Sequence, residues 1–238
     1  MRKDCRSDPR PAVVCLVVQK RTQNHPGRTI IRKPGEKSGL ALMPRPRKRL
    51  DRREVVAQIL ARREDALLIT GLGGTTWDGA AAGDDAKNFY VWGGMGGAAM
   101  IGLGLALAQP DRRVLVITGD GEMLMGVGAL ATIAVQRPEN LSVIVIDNEC
   151  YGETGMQSTH TRFGVDLAGM AAAAGFPLTT TITTHKALDD FVTEIHGATG
   201  PVFCCIKVDD APLPMVLPER DGAWLKSRFR KTVVGTLD

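Results

Sequence analysis

The sequence lacks several features that would have assigned it quickly. Its five cysteines (Cys5, Cys15, Cys150, Cys204 and Cys205) show no metal-ligand spacing, which removes a cysteine-based metal site from consideration. Cys204 and Cys205 are adjacent within one expected strand, so their side chains should face opposite sides of a sheet. An odd, unpatterned cysteine count fits a reducing, cytoplasmic compartment. There is no long hydrophobic run. The longest apolar stretch of the main region, Met95 to Ala108, is rich in Gly and Ala and falls short of the ~20 residues a membrane span needs. It reads as a buried helix. No internal repeat is visible. Acidic residues are scarce at the start: residues 1–50 hold 14 Lys and Arg against 3 Asp and Glu, so the net charge of +4 belongs to this segment and the rest is net acidic.

Residues 1–50 also carry Pro9, Pro11, Pro26, Pro34, Pro44 and Pro46 and little periodicity. They are expected to be a disordered basic extension, or to precede the true start at Met43. The run Arg45-Pro46-Arg47-Lys48-Arg49 is expected to be a solvated linker. Residues 51–210 should form one domain and residues 211–238 a tail with weak signals. No nucleic-acid or membrane partner is expected.

From Asp51 onward, short apolar runs alternate with helical patterns. Helices are expected over 51–64, 96–108, 125–136, 167–174 and 186–196, and strands over 66–70, 89–92, 114–118, 141–147, 178–183 and 202–208. Residues 71–78 and 148–164 read as loops. Strands alternating with helices through short turns define an α/β fold, an open parallel sheet with helices on both faces.

Two of these strands end in chemistry. Val114–Thr118 runs into Gly119-Asp120-Gly121, and Leu141–Asp147 runs into Asn148, 28 positions beyond Asp120. In a parallel sheet both ends lie at one edge, where open α/β folds bind ligands. A carboxylate and an amide carbonyl there suit Mg²⁺, which prefers oxygen donors and commonly holds a diphosphate. Gly121 and Glu122 open the next helix and present backbone N–H groups to phosphate. The following segment, Glu149-Cys150-Tyr151-Gly152, supplies main chain to complete a cage. As caps and turn formers, Asp120 and Asn148 would need no ligand. A competing motif is Gly94-x-Gly96-x-x-Ala99, which follows a strand, opens a helix and matches a dinucleotide fingerprint. That NAD reading leaves Asn148 without a role.

Gly119-Asp120-Gly121, a gap of 26 residues and then Asn148 resembles the thiamine-diphosphate (TPP) motif of 2-oxo acid decarboxylases and acetohydroxyacid synthases. Gly93-Gly94-Met95-Gly96 sits where that family carries its second cofactor loop. In wording, Gly119–Met125 and Tyr151–Gln157 look most like the β chains, or C-terminal halves, of sulfopyruvate and phosphonopyruvate decarboxylases.

The resemblance implies that Asp120, the Asn148 side chain and the Cys150 carbonyl ligate Mg²⁺. It implies main-chain contacts from Gly121 and Glu122 to the diphosphate. Gly93 would accept from the cofactor's amino group through its carbonyl, and Met95 would act as the apolar wedge that bends the cofactor. Relatives often have Ser at the position of Glu122, and an extra anion beside diphosphate must turn away. His160, with Thr159 and Thr161, is placed to line a substrate pocket, and Gly71–Asp78 to shape its far end.

The family also needs a glutamate from a different domain to activate the cofactor. Residues 1–50 are too few to form such a domain. An α-subunit partner carrying the pyrimidine-binding domain is therefore expected, in a hetero-oligomer acting on an anionic 2-oxo acid. Decarboxylation and acetolactate-type carboligation both remain open on these residues.

Overall fold

A computed structural model describes Leu42 and residues 49–235. The expectations for residues 1–50 therefore lie outside the described residues, except at Leu42, Arg49 and Leu50. Cys5 and Cys15 lie outside them too.

Six strands form one parallel sheet: β1 (Leu67–Thr70), β2 (Asn88–Tyr90), β3 (Val114–Gly119), β4 (Leu141–Asp147), β7 (Leu178–Ile182) and β8 (Val202–Lys207). Their order is β2-β1-β3-β4-β8-β7, and every pairing is parallel. The two longest apolar runs become the centre: β3 and β4 pair from Val114↔Leu141 to Gly119↔Ile146. Both are buried on both faces, so a continuous apolar run, without alternation, is the pattern they need. The chain leaves β1 towards β2 on one side and leaves β3 towards β4 on the other. This divergence opens a crevice beyond the carboxyl ends of β1 and β3.

Helices cover both faces. One core contains side chains from α3 (Ala98–Ala108), α5 (Ala129–Gln136) and α6 (Leu167–Ala174), and the other contains side chains from α1 (Arg52–Ala61) and α7 (His185–Glu194). Cys204 belongs to the second core and Cys205 to the first, so the pair does face opposite ways.

Four local expectations need correction. Residues 71–78 are not a loop throughout, because α2 spans Gly74–Ala81. Weak helix formers are held there by tertiary bonds. The Thr75 and Thr76 hydroxyls donate to the Gly71 carbonyl at 3.1 and 2.6 Å. Buried Asp78 pairs with Arg52 at 2.6 Å and Arg53 at 3.3 Å. The helix expected over 125–136 is two helices, α4 (Asp120–Met125) and α5, broken at Gly126. A side chain at Gly126 would stand 2.1 Å from the Gly96 carbonyl oxygen, so the break lets two backbones touch. Residues 148–164 contain a small hairpin, β5 (Cys150–Tyr151) and β6 (Gln157–Ser158), then a 3₁₀ turn over His160–Phe163. The tail forms α8 (Gly222–Val234), capped by Asp221. Phe229 packs on Phe89 with ring centroids 5.4 Å apart, and Arg228 pairs with Asp84 at 2.6 Å. Only Leu225 of α8 is buried, which explains its faint apolar pattern.

The solvated-linker reading also fails at Arg49, whose side chain is 7% exposed and pairs with Glu149 at 2.8 Å. Leu50 bridges Val208 in parallel register and tethers the start of the domain to the end of β8. No helix among the described residues is long and apolar enough to cross a membrane.

Helix α3 reaches the sheet through Gly102, where an added Cβ would lie 2.2 Å from a methyl of buried, β-branched Val116. Gly102→Ala should lose about 1–3 kcal/mol in urea unfolding. An unchanged midpoint would contradict this close approach.

Candidate functional site

The crevice is a cleft of about 460 Å³, lined by three segments that follow sheet strands and by residues 210–213. The turn after β1 brings Leu72, Gly74 and Thr75, the turn after β3 brings Gly119 to Glu122, and the segment after β4 brings Asn148 and Cys150 to Thr154. Its volume lies within the ~300–1,000 Å³ usual for small-molecule sites. Met95 reaches the cleft from the Gly93–Gly96 turn. That turn requires left-handed backbone at Gly93 (φ 72°) and Gly96 (φ 88°).

Asp120 is the first residue of α4 and is 2% exposed. Among the described residues no cationic side chain pairs with it. Its Oδ2 accepts hydrogen bonds from the hydroxyls of Thr159 and Thr161, the latter at 3.0 Å. The Thr161 hydroxyl also lies 2.8 Å from Asp147 Oδ1, so its single proton is shared between the two carboxylates. Asp147 differs in having a counter-ion, Lys207, at 2.6 Å. Burial, and then the charge of Asp147, push the Asp120 carboxyl up to about 7. Lys207 is raised despite its burial, because Asp147 favours its charged form.

Asn148 turns the chain with its own side chain: Oδ1 accepts the Cys150 N–H at 3.0 Å. Strand alternation puts Asp147 and Asn148 on opposite sides, and Asn148 takes the cleft side. Glu149 adopts a left-handed conformation (φ 64°) and points away to Arg49 and Lys207. Burial would raise its carboxyl, but those cations hold it below the usual range. Gly121 and Tyr151 are matched, since a Cβ at Gly121 would fall 2.3 Å from the Tyr151 ring.

The Glu122 carboxylate is tied down at the edge of the cleft. Its carboxylate accepts from the Thr118 hydroxyl at 2.8 Å and the Gly96 N–H at 3.3 Å. Burial raises its carboxyl. The side chain thus ties the turn after β3 to the Gly93–Gly96 turn and leaves its backbone to face the cleft.

Most of the expected site residues therefore converge: Met95, Gly119, Asp120, Gly121, Glu122, Asn148, Cys150, Tyr151 and Gly152 line one cleft, with Gly93 and Gly94 in the adjoining turn. His160 is exposed in the 3₁₀ turn and does not line the cleft. Thr159 and Thr161 do not line a pocket either, because both hydroxyls are used beneath Asp120. Asp147 and Lys207 escaped sequence reasoning, and the threonine pair was expected at a substrate pocket rather than beneath Asp120. Their only signals were an acid next to Asn148 and a Thr-x-Thr spacing.

The donor set fits a magnesium diphosphate. A buried carboxylate with no cationic side chain is disfavoured as an anion, and a bound cation would stabilise its charged form. Asp120 and Asn148 offer oxygen donors at the rim of one cleft. Among the described residues no three His, Cys, Asp or Glu side chains gather to hold a metal alone. Mg²⁺ typically takes only one or two protein carboxylates and completes its shell with phosphate and water.

Comparison with known proteins gives the class. Residues 81–206 match the family described as thiamine pyrophosphate enzyme, C-terminal TPP binding domain, and the chain belongs to that family. It is 37% identical over 190 residues to the sulfopyruvate decarboxylase subunit beta of Methanothermobacter thermautotrophicus, covering 79% of this chain and 98% of that one. It is 37% identical over 158 residues to the phosphonopyruvate decarboxylase of Streptomyces hygroscopicus, covering 66% of this chain but only 36% of that enzyme. Among solved structures, the 4-hydroxybenzoylformate decarboxylase of Rhodococcus jostii superposes with a TM-score of 0.56 at 21% identity. The match covers 71% of this chain and 34% of that one, and it shows the fold alone.

Thr161→Val should break the bridge beneath Asp120 and weaken Mg²⁺-dependent TPP binding roughly tenfold, as loss of an outer-shell partner does. Thr161→Ser should restore it. Calorimetry decides, and equal affinity in all three proteins would remove Thr161 from the site.

Proposed function

We propose that this chain is the TPP- and Mg²⁺-binding subunit of a 2-oxo acid decarboxylase of the sulfopyruvate or phosphonopyruvate type. The observation that carries this is Asp120: a buried carboxylate without a cationic partner, at a strand end, facing a cleft beside Asn148. Asp120, Asn148 and the Cys150 carbonyl would hold the metal. The N–H groups of Gly121 and Glu122 would meet the diphosphate, which the start of a helix favours. Gly93 and Met95 would hold the ring end, Gly93 through its carbonyl and Met95 as an apolar support.

When bound, thiamine diphosphate supplies the nucleophile for the keto carbon and the electron sink that lets carbon dioxide leave. This chain's part is to fix position and exclude water around the reacting end, which is worth several kcal/mol in reactions of this kind. On this reading residues 51–210 form the cofactor-binding domain, and 211–238 follow as a tail whose first residues, Ala211 to Leu213, also line the cleft.

The reading includes a partner. One relative that this chain spans almost completely is named a subunit beta, whereas this chain spans only 36% of the phosphonopyruvate decarboxylase. An α chain would bring the activating glutamate and close the cleft. A decarboxylase is favoured over a carboligase because of the 98% coverage of the sulfopyruvate decarboxylase subunit.

Calorimetry should show TPP binding that requires Mg²⁺ and is lost in Asp120→Ala, with no binding of NAD. The purified chain alone should release no carbon dioxide from sulfopyruvate or phosphonopyruvate. Full activity without a second chain would refute the half-site reading, and unchanged TPP affinity in Asp120→Ala would refute the metal site.

A further inference from the structure

Among the described residues, Arg52 is the one cationic side chain that lines the cleft, beside four acids: Asp120, Glu122, Glu153 and Asp210. Neither the metal residues nor the glycine turns account for it. Arg52 is the first residue of α1. Its Nε lies 2.6 Å from Asp78 Oδ2, and 15% of its side chain is exposed. An arginine that served only to neutralise Asp78 would be superfluous, because Asp78 has a second cation. Arg53 Nε donates to Asp78 Oδ1 at 3.3 Å, and Arg53 Nη2 donates to the Pro214 carbonyl at 2.7 Å. Two guanidinium charges thus stand on one carboxylate, and the group is net positive whichever protonation state Asp78 takes.

The working end of Arg52 is also unused. Its Nε is buried, but Nη1 and Nη2 reach solvent at the cleft and make no hydrogen bond among the described residues. Nη1 stands against the start of α2: a Cβ added at Gly74 would lie 2.5 Å from it, so the bare backbone there leaves room for the guanidinium. The N-cap of α2, Gly73, supplies no side-chain bond, and N–H groups in a first turn have no partner within their helix. Resting on the cofactor and substrate reading above, we propose that Arg52, with the start of α2 beside it, is an oxyanion subsite of the cleft. A planar fork of donors grips tetrahedral phosphate or sulfonate through two nitrogens at once. Two such groups enter the cleft on that reading: the terminal phosphate of TPP and the phosphonate or sulfonate of the substrate. Arg53 is the positioning residue, since it holds Asp78 and leaves the Arg52 fork to the ligand.

The test uses the full chain, alone and in complex with its α chain. Arg52→Met keeps the aliphatic stem and removes the fork, while Arg53 still covers Asp78, so the variant should melt near the wild type. Two readouts separate the two sources of the oxyanion. If the group is the cofactor's phosphate, calorimetry in Mg²⁺ should show TPP affinity at least tenfold lower in Arg52→Met and partly recovered in Arg52→Lys. If it is the substrate's group, TPP affinity should hold, and KM for sulfopyruvate or phosphonopyruvate in the complex should rise at least tenfold, with the loss carried by KM rather than kcat. Arg62→Met, at the other end of α1, should alter neither readout.

Should Arg52→Met fail to fold, Gly74→Ala decides on the same two readouts, because it keeps the charge and only displaces the flexible tip of Arg52. It should weaken the same ligand in the same direction. TPP affinity and KM both within twofold of the wild type would overturn the subsite, reducing Arg52 to a structural partner of Asp78, and would leave the cofactor reading intact. A wild-type chain that binds no TPP in Mg²⁺ would instead overturn the cofactor reading, and the subsite with it.

Discussion

A carboxylate almost sealed from water, with no positive side chain beside it, governs the sheet edge. Asp120 is fixed there by two threonine hydroxyls, and one of them is shared with Asp147, whose own charge Lys207 offsets. The arrangement leaves one acid neutralised by Lys207 and the other without a cationic side chain among the described residues. Folding tolerates the imbalance because the hydroxyls supply hydrogen bonds, although they supply no charge. The neighbouring acids are held by other routes. Glu149 turns through left-handed backbone towards Arg49, and Glu122 bonds into the Gly96 turn.

The parallel sheet was legible because its central strands are buried on both sides. Val114–Thr118 and Leu141–Asp147 are continuous apolar runs, and such runs bounded by turns read directly as strands. The cleft was legible for a related reason: Asp120 and Asn148 follow those strands, and parallel pairing brings the two ends together whatever else the chain does. What escaped depended on contacts distant in sequence. Helix α2 is held by Arg52 and Arg53 on Asp78, and α8 by Arg228 on Asp84 and Phe229 on Phe89. The inward hydroxyls of Thr159 and Thr161 depend on a 3₁₀ turn that no periodicity announces. His160 sits between them, and that turn sends its side chain outward.

The same contrast separates the two sides of the sheet. A helix that meets water shows where it is buried by alternating polar and apolar faces. A helix buried on both sides shows no such alternation, and composition is then the only signal. The Gly- and Ala-rich stretch from Met95 to Ala108 was expected to be a buried helix. In the isolated fold only its inner side is covered.

The contact between Gly96 and Gly126 contains no side chains. Its separation is set by the radii of backbone atoms, so substitutions in the surrounding core cannot lengthen or shorten it by small steps. The Gly93–Gly96 turn and the far end of α4 are thereby gauged against each other as if by a fixed shim. Sequence drift elsewhere in the domain can alter how tightly the cleft is framed, but the spacing between its two ends does not drift with it.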